Sequence, residues 1–181
     1  MRKTLRMEDL ALTVRQARQV DAADIARVYI EAWHDTYPAM IPHALLCGMT
    51  LGGQTARWKG TIARHDPVLV AEDPEAGVIG MASFGRARDG ALGLDGEVYT
   101  LYVDPAFLGR GAGRALLSAA FAGLSARKCD SCVIWAHAQN NARFFYEAMG
   151  GRLVAERVNR LMGTPTPEAA FGWTEIANGP H

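Results

Sequence analysis

The sequence predicts a mixed α/β (α+β) domain whose mostly antiparallel, twisted sheet is flanked by helices. Three observations predict it. Strand-like stretches at 67–72, 78–86 and 97–103 follow one another with no helix between them, unlike the strict alternation of a doubly wound fold. A glycine-rich loop then leads into a stretch of helical periodicity. Strand and helix patterns alternate from there, giving the order β α α β β β α β α β β.

Residues 12–17 alternate weakly and read as a short strand. Asp21 offers an N-cap side chain. Ile25, Val28, Tyr29, Ala32 and Trp33 recur at helical spacing, which predicts an amphipathic helix over 22–34. Pro38 and Pro42 end it in a loop. A second helix is predicted over 51–63. PVLVAE (67–72) and VIGMASFGR (78–86) read as a hairpin turned at Gly77. EVYTLYV (97–103) is β-branched and aromatic, as a central strand is. Leu116, Leu117, Ala120, Phe121 and Leu124 make the next helix, CVIWA (132–136) a strand, and 142–149 a short helix stopped by Gly150-Gly151. Strands near 152–158 and 169–176 finish the chain.

With 181 residues, the length suggests one domain. The divisions are a flexible lead (1–11, with Met7 as an alternative start), a domain over 12–177 and a tail over 178–181. Nineteen basic and 19 acidic side chains balance to zero. No global field draws such a chain to nucleic acid. No window approaches the ~18 apolar residues of a membrane span, and Arg6, Glu8 and Asp9 interrupt any signal-like apolar run. A cytoplasmic location is expected. Three cysteines do not make a disulfide framework.

Leu108, Gly109, Arg110, Gly111, Ala112, Gly113 and Arg114 join a strand to a helix. Free N–H groups and the dipole at a helix start attract anions. Glycines let a phosphate approach the backbone, and Arg110 and Arg114 add charge. A Walker loop is absent, and the dinucleotide fingerprint would need glycine where Arg114 stands. The bland alternative is a turn that only packs the helix on the strand.

Together, E-x-x-x-L-Y-V-D-P (97–105), G-R-G-A-G (109–113) and N-N-A-R-F-F-Y-E-A-M-G-G (140–151) resemble the GNAT superfamily of acetyl-CoA-dependent N-acetyltransferases. The resemblance spans about Val14 to Ile176. It implies acetyl-CoA as co-substrate, its pyrophosphate on 108–114 and its pantetheine arm along Leu101, Tyr102 and Val103. It also implies contacts from Asn140 to the pantetheine. Where the family often has Gln or Arg, this chain has Leu108, which removes a polar contact and leaves the backbone cradle. Arg143 reads as a phosphate contact or a solvated helix charge.

Acetyl transfer to an amine needs a base, because an amine with a pKa near ~10.4 is mostly protonated. The resemblance implies Glu97 as that base, through water; Asp95, two residues earlier on the same strand face, is the substitute candidate. A solvated carboxylate is the plain alternative. Tyr146 is implied as the acid that protonates the departing thiolate, since a phenol is protonated at neutral pH. A core aromatic is its alternative. The resemblance implies a backbone N–H of the central strand as oxyanion donor, at Val103 or Tyr102.

The resemblance implies an acceptor wall built by the first helix pair, with Trp33 and Tyr37 as candidates and Glu31 or Asp35 attracting an amine. The favoured plain alternative makes Trp33 the last core position of the helical stripe. Cys129-Asp-Ser-Cys132 has redox spacing but follows a helix and enters a strand, the reverse of a thioredoxin-like context. No metal is expected. The acceptor is a small-molecule or peptide amine. The resemblance carries a homodimer as an option that the residues leave open. The alternative function is a non-catalytic acyl-CoA-binding sensor or regulatory module.

Overall fold

A computed structural model describes residues 12–177, 179 and 180. The expected lead over 1–11, with Met7, and the tail residues Asn178 and His181 lie outside the described residues. The elements are β1 (Thr13–Gln16), α1 (Ala22–Thr36), α2 (His43–Cys47), α3 (Leu51–Ala63), β2 (Val68–Asp73), β3 (Gly77–Arg86) and β4 (Gly96–Val103). Then come α4 (Ala112–Ser125), β5 (Cys132–His137), α5 (Ala142–Ala148), β6 (Arg152–Leu161) and β7 (Thr164–Trp173). The strands form one sheet in the order β1-β2-β3-β4-β5-β7-β6. Every pair is antiparallel except β4–β5, which α4 joins as the crossover that a parallel pair needs.

The sheet is covered on both faces. Leu116, Leu117, Ala120, Phe121 and Leu124 of α4 are fully buried with Phe84, Val98 and Ile134 on one face. Tyr146 of α5, Met149 just after it, and Phe171 and Trp173 of β7 belong to that same cluster. On the other face Ile25, Val28 and Tyr29 of α1 and Trp58 of α3 pack on Val68, Val70 and Met81. Burying one such large apolar side chain contributes roughly 1.5–3 kcal/mol.

Three elements differ from the sequence reading. The stretch after Pro38 contains a short helix, α2, for which Pro42 is the N-cap. The final strand starts earlier, at Thr164, and ends at Trp173. Its turn is Met162-Gly163, both at positive φ. Pro165 and Pro167 hid it. They are tolerated because β5 pairs β7 only from Glu168 onward, so each proline has a strand on one side alone.

Asp21 is the third. It is the residue before α1 but makes no side-chain bond to that helix. Its carboxylate instead accepts from the Arg18 N–H at 2.6 Å and from both arms of Arg15 at 2.7 and 3.0 Å. The Arg15 fork holds this buried carboxyl below the usual range. A carboxyl depressed on folding stabilises above its unfolded value of ~3.9, and that contribution is lost as pH falls through the folded value. Urea unfolding from pH 6 to 2.5 is therefore expected to show a steeper stability loss for the wild type than for Asp21→Asn. Parallel curves would assign the acid sensitivity elsewhere.

Candidate active site

The site begins with one extra residue. Ser83 pairs with Thr100 and Phe84 with Val98, so Tyr99 has no partner on β3 and forms a bulge. A bulge bends its strand and ends regular pairing. On the other side, β4 and β5 pair only from Gly96↔Cys132 to Val98↔Ile134. Beyond the bulge the two strands part, while β5 continues against β7 as far as His137. A cleft of about 640 Å³ opens between them, lined by Tyr99–Val103 on one side and Ile134–Ala136 on the other.

The bulge also decides which atoms face the cleft. The Asp104 N–H donates to the Ile79 carbonyl at 2.8 Å. In the register Gly80↔Val103, Met81↔Tyr102, alternation makes Tyr102↔Met81 and Thr100↔Ser83 the hydrogen-bonded pairs. Leu101 and Val103 therefore turn their N–H and C=O groups into the cleft, and the Tyr102 N–H is committed to β3. Of the two expected oxyanion donors, Val103 has its N–H on the cleft side and Tyr102 does not. Leu101 also turns its N–H to the cleft side, a position the sequence reading did not single out for that role.

At one end of the cleft lies the glycine loop. Gly109 and Gly111 have φ of +76° and +88°, a region that costs other residues steric strain. Gly113 has ordinary space needs of another kind: a Cβ there would come within 3.3 Å of the Phe145 ring. Gly111 is the N-cap of α4 without a side-chain cap. The N–H groups of Ala112, Gly113 and Arg114 have no partner among the described residues. They form, with the helix dipole, an anion cradle. Leu108, Gly109, Gly111, Ala112, Gly113 and Arg114 line the cleft, and Leu108 is 60% exposed. Arg110 is exposed, its guanidinium 4.9 Å from the Phe107 ring centre and outside the lining. Arg143 likewise lies over Phe144 at 4.5 Å, outside it.

The loop is anchored by a pair that the sequence reading overlooked. Asp104 accepts from the Ala106 N–H at 3.0 Å, capping the short turn 105–107, and pairs with Arg27 of α1 at 2.7 Å. Arg27 also donates to the Val78 carbonyl at 2.7 Å. Asp-Pro was visible as a turn signal, but its partner lies 77 residues away.

The start of α5 and the end of α1 also border the cleft. Asn140 accepts from the Ala142 N–H at 2.8 Å and donates through Nδ2 to the Tyr37 hydroxyl at 3.3 Å. It thus starts α5 and ties it to α1. Tyr146 is buried and lines the cleft, and its hydroxyl makes no hydrogen bond among the described residues. Burial raises its phenol above the ordinary value, with Tyr37 adding to the effect. Burial does the same for Tyr37 and, more strongly, Tyr102. Trp33 is outside the cleft lining and packs among Tyr29, Tyr37 and Tyr102. Asp35 lines the cleft, whereas Glu31 pairs with Arg27 at 3.1 Å.

Glu97 does not line this cleft. It is 2% exposed and borders an adjoining polar cavity of about 420 Å³. Tyr99 and Trp135 line both spaces. One residue grips the carboxylate: the Arg88 N–H donates to Oε2 at 2.9 Å, Nε to Oε1 at 3.1 Å, and Nη2 to Oε1 as well. A carboxylate has about four lone-pair directions, so one on Oε2 remains. Asp95 is committed elsewhere. The Asp130 N–H and the Ser131 hydroxyl bond its Oδ2 at 3.1 and 3.0 Å, and they hold its carboxyl below the usual range.

Cys129 and Cys132 are buried, and burial pushes the Cys132 thiol up to about 12. Such a thiol is inert. Among the described residues no group of three or more His, Cys, Asp or Glu side chains is placed to hold a metal, and no helix is long and apolar enough to cross a membrane.

Comparison with known proteins bears on the family and the fold. Residues 64–150 match the model of the acetyltransferase (GNAT) domain. The chain is 34% identical over 166 residues to the uncharacterized N-acetyltransferase YuaI of Bacillus subtilis (strain 168), covering 92% of this chain and 95% of that one. The structure of yncA from Salmonella typhimurium, an acetyltransferase with its cofactor acetyl-CoA, is 26% identical. It superposes with a TM-score of 0.67 over 94% of this chain and 98% of its own. An N-acetyltransferase of Staphylococcus aureus Mu50 shares the fold at 19% identity, with a TM-score of 0.69 over 90% and 98%.

Gly111→Ala keeps the loop's length but forces a Cβ into φ +88°. It is expected to cost about 1–2 kcal/mol in urea unfolding. An unchanged midpoint would show that the loop relaxes without that conformation.

Proposed function

The chain belongs to the GNAT family of N-acetyltransferases, and from that premise we propose that it moves the acetyl group of acetyl-CoA to the primary amine of a small molecule or peptide. One observation carries the proposal. The open edge of β4, the free amides of the glycine loop and the Tyr146 hydroxyl all face one cleft.

The residues present suit that co-substrate. The amides of Ala112, Gly113 and Arg114, with the Arg114 side chain, are suited to a pyrophosphate. Leu108 adds no polar contact there, and the backbone cradle does not need one. The N–H and C=O groups of Leu101 and Val103 suit an extended arm with its own amides, as a further strand would suit them. Asn140 and Tyr37, bonded to each other, border the same cleft. Bound there, acetyl-CoA supplies an acyl group activated as a thioester.

The chain's own groups then handle charge and protons. As the amine nitrogen bonds to the carbonyl carbon, the N–H of Val103 or Leu101 donates to the oxygen that gains charge. The amine proton passes through water to the remaining lone pair of Glu97 Oε2. As the carbon–sulfur bond breaks, Tyr146 gives its proton to the sulfur. Burial keeps the phenol protonated across the neutral and mildly basic range, and because it also weakens the acid, the proton moves only as charge builds on the departing sulfur.

Release of free thiol from acetyl-CoA with a panel of amines tests the reading. Acetyl-CoA binding without thiol release for any amine would instead favour a sensor. Tyr146→Phe is expected to lower kcat by about 10²-fold and to move the acetyl-CoA KM by only a few-fold. Since the phenol titrates above its ordinary ~10, that ratio should stay constant from pH 6 to 9. A basic limb below pH 9 that disappears in Tyr146→Phe would contradict the assignment.

A further inference from the structure

The polar cavity beside the cleft has a charge pattern that acetyl-CoA does not use. Arg88 is committed to Glu97. Arg157 is committed to two acids, with Nε on Glu168 at 2.7 Å and Nη1 near Asp89 at 3.6 Å. Three carboxylates therefore border the cavity against two guanidinium groups. Both guanidiniums also lie on the aromatic walls, Arg88 4.6 Å from the Tyr99 ring centre and Arg157 3.7 Å from that of Trp135. The second Glu168 oxygen receives only the neutral Asn159 amide at 3.3 Å. Across the shared rings, the cleft itself carries the exposed Asp35.

An excess carboxylate in a partly enclosed space is stabilised by a cation and destabilised by another anion. The cavity meets the cleft at Tyr99 and Trp135, on the Glu97 side of the sheet opening. It is therefore placed to receive the end of an acceptor whose reacting amine lies between Glu97 and Tyr146. We propose that this cavity binds the distal end of the acceptor and that this end is positively charged, so that the acceptor is a diamine-like molecule rather than an amine that carries a carboxylate. The proposal rests on the acetyl-transfer reading above.

Three probes of one chain length separate the possibilities: cadaverine, pentylamine and δ-aminovalerate. They share a reactive primary amine and differ in the far end. The expected order of kcat/KM is cadaverine, then pentylamine, then δ-aminovalerate, with roughly tenfold between the first two, as one added charged hydrogen bond gives. Glu168→Gln should bring the cadaverine-to-pentylamine ratio to within about twofold. Asp89→Asn, in a loop where folding is least at risk, should lower the ratio in the same direction. Equal values for all three probes, or the highest value for δ-aminovalerate, would overturn the proposal. If no probe is acetylated, calorimetric titration of cadaverine into the protein with CoA decides. Binding that weakens about tenfold in Glu168→Gln upholds the cavity and rejects the acetyl-transfer reading for these amines, and absence of binding overturns the proposal.

Discussion

Tyr99 is one residue too many for the strand beside it, and the site follows from that mismatch. Up to Val98, β4 lies between β3 and β5 with both edges paired. After the bulge it keeps β3 and loses β5. A sheet that stayed paired would have spent the N–H and C=O groups of Leu101 and Val103 on β5. The parted sheet leaves them facing an open cleft, which is costly for buried backbone unless water or a ligand satisfies them. The fold thus carries an unfilled strand position in its middle.

The same bulge changes the facing of side chains. Val98 packs on the α4 side, and Leu101 and Val103 do so as well, although an unbroken strand would alternate them. Glu97, Thr100 and Tyr102 share the opposite face. Thr100 bonds Ser83 at 2.7 Å, and Tyr102 packs among Tyr29 and Trp33. Glu97, before the bulge, faces the polar cavity by alternation with Val98, and the bulge brings Thr100 and Tyr102 onto its face. The glycine loop and the polar cavity thus border opposite faces of one sheet.

The order of elements was readable from local pattern, because each long element has its own period and its own stop signals. The glycine loop was readable because its requirement is local: two residues at positive φ and a helix start. The bulge was not, since EVYTLYV looks like an unbroken strand and the misfit exists only against β3. Arg88 escaped notice for a similar reason. Nothing in R-A-R-D marks which arginine turns back onto Glu97, nine residues on. Arg27 and Asp104 are separated by 77 residues, and α2 is too short to show a period. The helical stripe makes Trp33 its last core position, and the ring packs among Tyr29, Tyr37 and Tyr102 accordingly.

Residue-resolved amide hydrogen exchange, with and without CoA, tests the central claim most directly. Without CoA, the N–H of Tyr102 should already be protected by β3, and those of Leu101 and Val103 should exchange as open-edge amides. With CoA bound, Leu101 and Val103 should slow by at least about tenfold, together with Ala112, Gly113 and Arg114. Slow exchange at Leu101 and Val103 before CoA is added, or no change there on saturation, would contradict the account.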